Sequence, residues 1–271
     1  MKKSAWLALV AGSMFSAFAW AQAPEVTLAR IDCGTGAKPT NFAERHNDTF
    51  AFADINRPFT FSCYLIRHGD DYMVWDTGFA PGTNPNAPKV GLAERLAEVN
   101  VRPDQVKYVG ISHYHQDHTG QLGPLTNATL LIGKGDWDGI NANPPMPSAN
   151  VAGFKDYMGP NARKVEPLAL DKDVFGDGTV LVIRTPGHTP GHMSALVRLR
   201  SGKNYLLSGD AVHYHENYES NGVPSINFDR SQTLASIDRL KKIAANLNAT
   251  LVIQHDMRDI GKLPAWPAVA K

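Results

Sequence analysis

The chain has 271 residues, with 27 Lys and Arg against 26 Asp and Glu and a formal charge of +1 at pH 7. So even a balance leaves no basic stripe for nucleic acid and no acidic tail. No internal repeat or low-complexity linker interrupts it, and with 43% hydrophobic residues it is long enough to bury the core of one α/β domain.

Taken in chain order, Met1-Lys2-Lys3 is followed by an apolar run to Trp20 and a small-x-small site at Ala19-Trp20-Ala21. This is the pattern of a secretory signal peptide, and the run is too short and too sharply ended for a good membrane span. Residues 1–21 are therefore expected to be removed. The mature domain is expected at residues 22–271, without a membrane span, in the periplasm or outside the cell. Val26 to Ile31, Phe61 to Arg67 and Tyr72 to Trp75 read as strands. Val90 to Val99 reads as an amphipathic helix with Leu92, Leu96 and Val99 on one side. Cys33 and Cys63 are the only cysteines; an oxidising compartment would allow them to pair, and the alternative is two buried thiols on neighbouring strands.

Gly34 to Pro58 reads as a long connection carrying Phe42, Phe50 and Phe52. Asp136 to Asn161 is a second, rich in Pro, Asn and Gly, with Trp137, Met146, Phe154, Tyr157 and Met158. Long connections in a compact domain often form lids. Their aromatic residues either line an apolar channel or pin the loops to the body. Asp229 to Leu247 reads as a helix with Leu234, Ile237, Leu240, Ile243 and Leu247 as its core face.

The densest chemistry lies in Ser112-His113-Tyr114-His115-Gln116-Asp117-His118-Thr119-Gly120, directly after the strand-like Val106 to Ile111. Three imidazoles and a carboxylate at a strand's carboxyl end suit zinc and related divalent ions. His113 and His115, one residue apart, can grip one ion. Asp117 and His118 fall where the chain turns into a helix and face a second point, so two adjacent ions are expected. Three further segments end in ligands: Thr179 to Arg184 runs on to His188, Asn204 to Leu207 to Asp210, and Thr250 to Ile253 to His255. Taken singly, a histidine after a strand is more often a hydrogen-bonded or surface residue, and an Asp after Gly a turn or cap; the histidine cluster raises all of them together. His46, His68, His192, His213 and His215 fill no required ligand slot.

In this order and at strand ends, His113, His115, Asp117, His118, His188, Asp210 and His255 resemble the metallo-β-lactamase superfamily over nearly the whole mature chain. The resemblance implies an α/β fold, the αββα sandwich of two mixed sheets flanked by helices. Tyr72-Met73-Val74-Trp75-Asp76-Thr77-Gly78 matches the superfamily's strand ending in Asp-Thr-Gly, which implies that Asp76 supports the metal loop by hydrogen bonds. Ser208-Gly209-Asp210-Ala211, Glu216 to Glu219 with Val223-Pro224, and the segment from Asp229 are similar to the N-acyl-homoserine lactonases, which open the lactone of quorum-sensing signals. That likeness implies His113, His115 and His188 on one ion, Asp117, His118 and His255 on the other, and Asp210 bridging. The ions are two divalent metals, zinc first, with iron, cobalt and manganese also fitting the donors. Better-known members place a tyrosine three residues beyond the bridging Asp, where this chain has His213, with Tyr214 next. Either can donate to a lactone carbonyl, and Tyr214 is preferred.

The implied reaction is attack on a small lactone by a hydroxide held between the ions, with Asp117 passing the proton to the leaving alkoxide. A homodimer is among the expectations, since related lactonases are sometimes dimers. Three rivals remain. A subclass B3-like β-lactamase shares the histidine motif but lacks the bridging Asp. A glyoxalase II-like thioesterase has that Asp but usually adds a C-terminal helical region, which is not expected here. A non-catalytic metal-binding protein is the third.

Overall fold

A computed structural model of the protein describes residues 24–271, so the leader expected at residues 1–21 lies outside the described residues. The chain lays down β1 (Val26–Thr35), then the two-residue strands β2 (Thr40–Asn41) and β3 (Asn56–Arg57) with α1 (Phe42–Arg45) between them. β4 (Thr60–His68), β5 (Asp71–Trp75), α2 (Leu92–Glu98), β6 (Val106–Gly110), α3 (Gln116–Thr119), β7 (Thr129–Gly133) and α4 (Lys134–Asn141) follow. The remainder holds β8 (Val165–Leu168), β9 (Lys172–Asp173), β10 (Val180–Arg184), β11 (Met193–Arg198), β12 (Asn204–Leu207), α5 (His215–Ser220), α6 (Arg230–Asn246) and β13 (Ala249–Val252).

Alternation along these strands sorts the apolar residues into layers. On β4, Tyr64 and Ile66 point one way and Cys63 and Leu65 the other, as successive strand residues must, and all four are buried. A strand buried on both faces needs cover on each side. Tyr64 and Ile66 join Trp75 and Leu131 against Val182, Met193 and Leu207 of a second sheet. Cys63 and Leu65 instead pack with Leu92, Leu96 and Phe154. Across the molecule, Leu196, Leu206 and Leu251 meet Ile237 and Leu240 of α6. The layers therefore run helix, sheet, sheet, helix, the expected αββα sandwich.

The first sheet has the order β1-β4-β5-β6-β7-β8 and the second β13-β12-β11-β10-β9. Both are mixed: β5, β6, β7 and β8 are parallel neighbours, as are β12 and β13, while β10, β11 and β12 alternate in direction. At the start of α2 the Glu94 carboxylate accepts from the Gly91 amide at 2.7 Å. At the start of α6 the Asp229 carboxylate accepts from the Gln232 amide at 2.8 Å. The buried face of α6 is Thr233, Ser236, Ile237 and Leu240; Leu234 is only half-buried, because two small polar residues share that face.

Neither long connection is structureless. The first folds into the β2–β3 ribbon and α1, and the second into α4 and a 3-10 helix at Val151–Tyr157. Phe42, Phe154 and Tyr157 are buried in the body, while Phe50 is 76% exposed. Cys33 and Cys63 form a disulfide with their Cα atoms 5.8 Å apart. Among the described residues no helix is long and apolar enough to cross a membrane.

Candidate dinuclear metal site

Parallel pairing brings the carboxyl ends of β5 and β6 to one edge of the first sheet, and the alternating order brings those of β10, β12 and β13 to one edge of the second. Asp76 follows the end of β5 and the four ligand segments follow the other four ends, where the sandwich leaves a rim between the sheets. β12 stops at Leu207, and Gly209 then adopts a positive φ of 53°. A Cβ at Gly209 would stand 2.7 Å from His192 Nε2 and 2.8 Å from Ser112 Cβ. Only glycine lets Asp210 turn inward there.

The seven predicted ligands converge. His113 Nε2 lies 2.7 Å from His115 Nδ1, and His188 Nε2 lies 3.2 Å from the same atom. On the other side, His118 Nε2 and His255 Nε2 lie 3.6 and 3.8 Å from Asp117 Oδ2. The Asp210 carboxylate stands between the two sets, 3.8 and 3.5 Å from His113 and His188 Nε2 through Oδ2, and 3.4 and 3.0 Å from His118 and His255 Nε2 through Oδ1. In the first triad and in the second, the donor atoms lie within 4.8 Å of one another. His118 Nε2 and Asp210 Oδ1 are buried with no hydrogen-bond partner. Buried polar atoms left unpaired are costly. Nitrogen and oxygen donors converging on two points, with orphaned atoms among them, fit two divalent cations.

Most of these imidazoles are held from behind. His118 Nδ1 donates to Asp76 Oδ2 at 2.9 Å, and Asp76 also accepts from the Ser112 amide at 2.7 Å and the Ser112 hydroxyl at 3.0 Å. His255 Nδ1 donates to the Thr60 carbonyl at 2.8 Å and His188 Nδ1 to Asn227 Oδ1 at 2.8 Å. His113 Nδ1 meets the Ser112 hydroxyl at 3.1 Å. These contacts fix each ring so that Nε2 faces the site. Asp76 thus stands where the Asp-Thr-Gly motif places it. His192 does not enter the ligand set: its Nε2 accepts from the Asp210 amide at 2.8 Å and orients that residue.

Electrostatics differs between the two halves. Burial, reinforced by neighbouring imidazoles, holds His113 and His188 well below the ordinary histidine range, so both are neutral. Burial acts the same way on His118 and His255, but the Asp210 and Asp117 carboxylates overcome it and lift both, with Asp76 adding to the lift on His118. Asp117 is pushed up by burial and pulled lower by the charges of His118 and His255, ending below the carboxylate range.

A cavity of about 370 Å³ opens over the site, lined among others by His46, Phe59, Phe79, Asp117, His213 and Ile226. His213 lines it, with Nε2 3.3 Å from Asp210 Oδ2. Tyr214 does not, which corrects the preference for it. The ring is fully buried between Phe42 and Phe59, and its hydroxyl donates to the Arg57 carbonyl at 3.2 Å. The reason is the extended backbone at Tyr214 (φ −143°, ψ 162°) as the N-cap of α5, which turns its side chain away from that of His213. None of the apolar side chains named in the two long connections lines the cavity; Arg45, His46 and Ser148 from those segments do. His46 had no signal in the sequence. It follows a four-residue helix that only the fold sets against His213, ring centroids 5.1 Å apart, and Phe59, 4.8 Å apart.

The sequence pattern of the Metallo-beta-lactamase superfamily matches residues 57–255. The N-acyl homoserine lactonase AttM of Agrobacterium fabrum (strain C58 / ATCC 33970) is 34% identical over 223 residues, covering 75% of this chain and 84% of that protein. A quorum-quenching N-acyl homoserine lactone lactonase crystal structure superposes with a TM-score of 0.77 at 22% identity, covering 92% of this chain and 99% of that one. AidC, a dizinc quorum-quenching lactonase solved in complex with a product, gives 0.66 at 19% identity, covering 92% and 90%. With its ligands converging at the strand ends and these relatives beside it, the chain belongs to the metallo-beta-lactamase superfamily of hydrolases, alongside the N-acyl homoserine lactonases.

Proposed function

We propose that this protein hydrolyses N-acyl-homoserine lactones, opening the ring to the hydroxy acid. The observation that carries the reading is Asp210, whose two oxygens reach both ligand triads; it favours the lactonase resemblance over the β-lactamase one, and the 34% identical relative is named a lactonase. Two divalent cations, zinc in our reading, would be held by His113, His115 and His188 and by Asp117, His118 and His255, with Asp210 shared. When bound they supply Lewis-acid polarisation and water acidified to a pKa of about 7.

The chain's own groups do the rest. His213 has a buried Nδ1 without a partner. Its Nε2 lies 3.3 Å from Asp210 Oδ2, a carboxylate oxygen that accepts, so the proton sits on Nε2, and from there it donates to the lactone carbonyl as charge develops. Asp117, on the cavity lining, takes the proton of the attacking water as the new carbon–oxygen bond forms. It delivers that proton to the ring oxygen as the ring bond breaks. Phe59, Phe79 and Ile226 give the acyl part an apolar side. Action outside the cytoplasm is part of the proposal, supported by the leader pattern and by the Cys33–Cys63 disulfide.

The test is hydrolysis by zinc-loaded protein of a short-chain and a long-chain acyl-homoserine lactone beside a carbapenem and S-lactoylglutathione. Lactone opening that vanishes in His118→Ala is expected. Turnover of the carbapenem or thioester with both lactones intact overturns the substrate assignment.

A further inference from the structure

Asp136 is a wholly buried carboxylate in the first turn of α4, and the mechanism above does not use it. The groups it meets are neutral donors: the Tyr114 amide at 3.2 Å, the Thr189 hydroxyl at 2.8 Å and the Gly191 amide at 2.6 Å. Tyr114 stands between His113 and His115, and Thr189 follows His188. One side chain therefore ties together the two loops that supply all three imidazoles of the first triad, although they lie 73 residues apart at His115 and His188. The contact leaves no room for adjustment: a Cβ at Gly191 would stand 2.2 Å from the Asp136 amide nitrogen.

Asp76 holds His118 of the second triad directly and touches the first triad only through Ser112, whose hydroxyl meets His113 Nδ1. No bond from Asp76 reaches the 188–191 loop, and none from Asp136 reaches His118, Asp117 or His255, among the described residues. Burying a carboxylate is expensive unless its bonds are satisfied. The position is thus a costly one whose benefit falls on a single pair of loops.

We propose that Asp136 is a positioning residue for the ion of His113, His115 and His188, fixing the distance between the two loops so that the three nitrogens meet at one point. The inference rests on the two-ion reading of the site and not on the identity of the substrate. Without the carboxylate, the Tyr114 and Gly191 amides lose their shared acceptor and the loops separate by rigid displacement of the 188–191 segment. The second ion, anchored through Asp76, is unaffected.

The experiment measures zinc stoichiometry and stepwise affinity by competition with a chromophoric chelator, on wild type, Asp136→Asn, Thr189→Val, His188→Ala and the double variant Asp136→Asn with His188→Ala. Asp136→Asn is expected to weaken one of two ions by about 10-fold to 100-fold, the range for outer-shell partners, and to leave the other at its wild-type affinity. It adds nothing further to His188→Ala, and Thr189→Val gives a smaller loss at the same ion. Circular dichroism and the thermal midpoint of the metal-free variants separate this from misfolding; if Asp136→Asn does not fold, Thr189→Val decides. Equal weakening of both ions overturns the proposal. So does unchanged zinc affinity in a folded variant whose midpoint has dropped. A wild-type protein holding fewer than two zinc ions overturns the two-ion reading itself, and the proposal with it.

Discussion

The floor of the cavity and the wall beside it hold their imidazoles differently. On the floor, His113, His118, His188 and His255 each have a partner at Nδ1, in Ser112, Asp76, Asn227 and Thr60. In the wall, both ring nitrogens of His46 and the Nδ1 of His213 are buried without one. The wall is held by aromatic packing instead: Phe59 lies 4.8 Å from His46, 5.9 Å from His213 and 4.5 Å from His255, centroid to centroid. A ligand for a cation must present one lone pair in one direction, so its ring is pinned at both ends. Packing fixes a ring's plane but not its tautomer. The floor therefore aims its ring nitrogens at the candidate cation site, and the wall holds its rings by packing alone.

This contrast can be broken from either side. The largest effect is expected on the floor, where Asp117→Asn keeps the shape of a group but removes its basicity. Turnover should fall by about 100-fold to 10,000-fold, with a much smaller change in KM; steady-state kinetics showing near-normal turnover would sink the proton role. In the wall, His213→Ala removes the donor assigned to the lactone carbonyl. Its kcat should drop by about 100-fold to 1,000-fold, the range for one such donor, while zinc stoichiometry stays at the wild-type value. A variant that loses zinc instead would move His213 onto the floor.

The smallest effect sharpens the contrast through pH. Burial, with the like charges of His213 and Arg45 behind it, holds His46 down to about 2 against an ordinary 6.5. The unfolded chain takes up a proton near 6.5 and the folded chain does not. The stability His46 contributes is thus present above 6.5 and is lost as pH falls from there toward about 2, by about 1.4 kcal/mol per pH unit for one proton. In urea titrations of metal-free protein between pH 7 and pH 5, His46→Phe should lose stability less steeply than wild type. Parallel slopes for the two proteins would show that His46 titrates freely in the fold.

The legible part of this protein was its floor. Packing rarely calls for three histidines and an Asp within six positions, and His188, Asp210 and His255 each lie three or four residues beyond a strand whose apolar run announces it. The sandwich was implied by the superfamily resemblance, while the apolar runs marked strands, β4 being apolar at consecutive positions because it is covered on both faces. Helix ends were close too, since Asp229 caps α6 through a local bond that sequence neighbours supply. The two long connections were legible only as polar, aromatic-bearing segments; Phe42, Phe154 and Tyr157 went to the body and Phe50 and Phe52 to the surface, none of them to the cavity lining.

What the sequence by itself determined is therefore the set of atoms that can hold cations, because these depend on residue type at local spacing, and through them the superfamily resemblance that implies the layered fold. The tertiary structure alone decided that His213 and not Tyr214 faces the cavity, because the extended step between them turns neighbouring side chains to opposite sides. It also placed His46 beside His213, 167 positions along the chain, and Asp136 between two ligand loops. Those pairings join segments distant along the chain, and no local spacing encodes them.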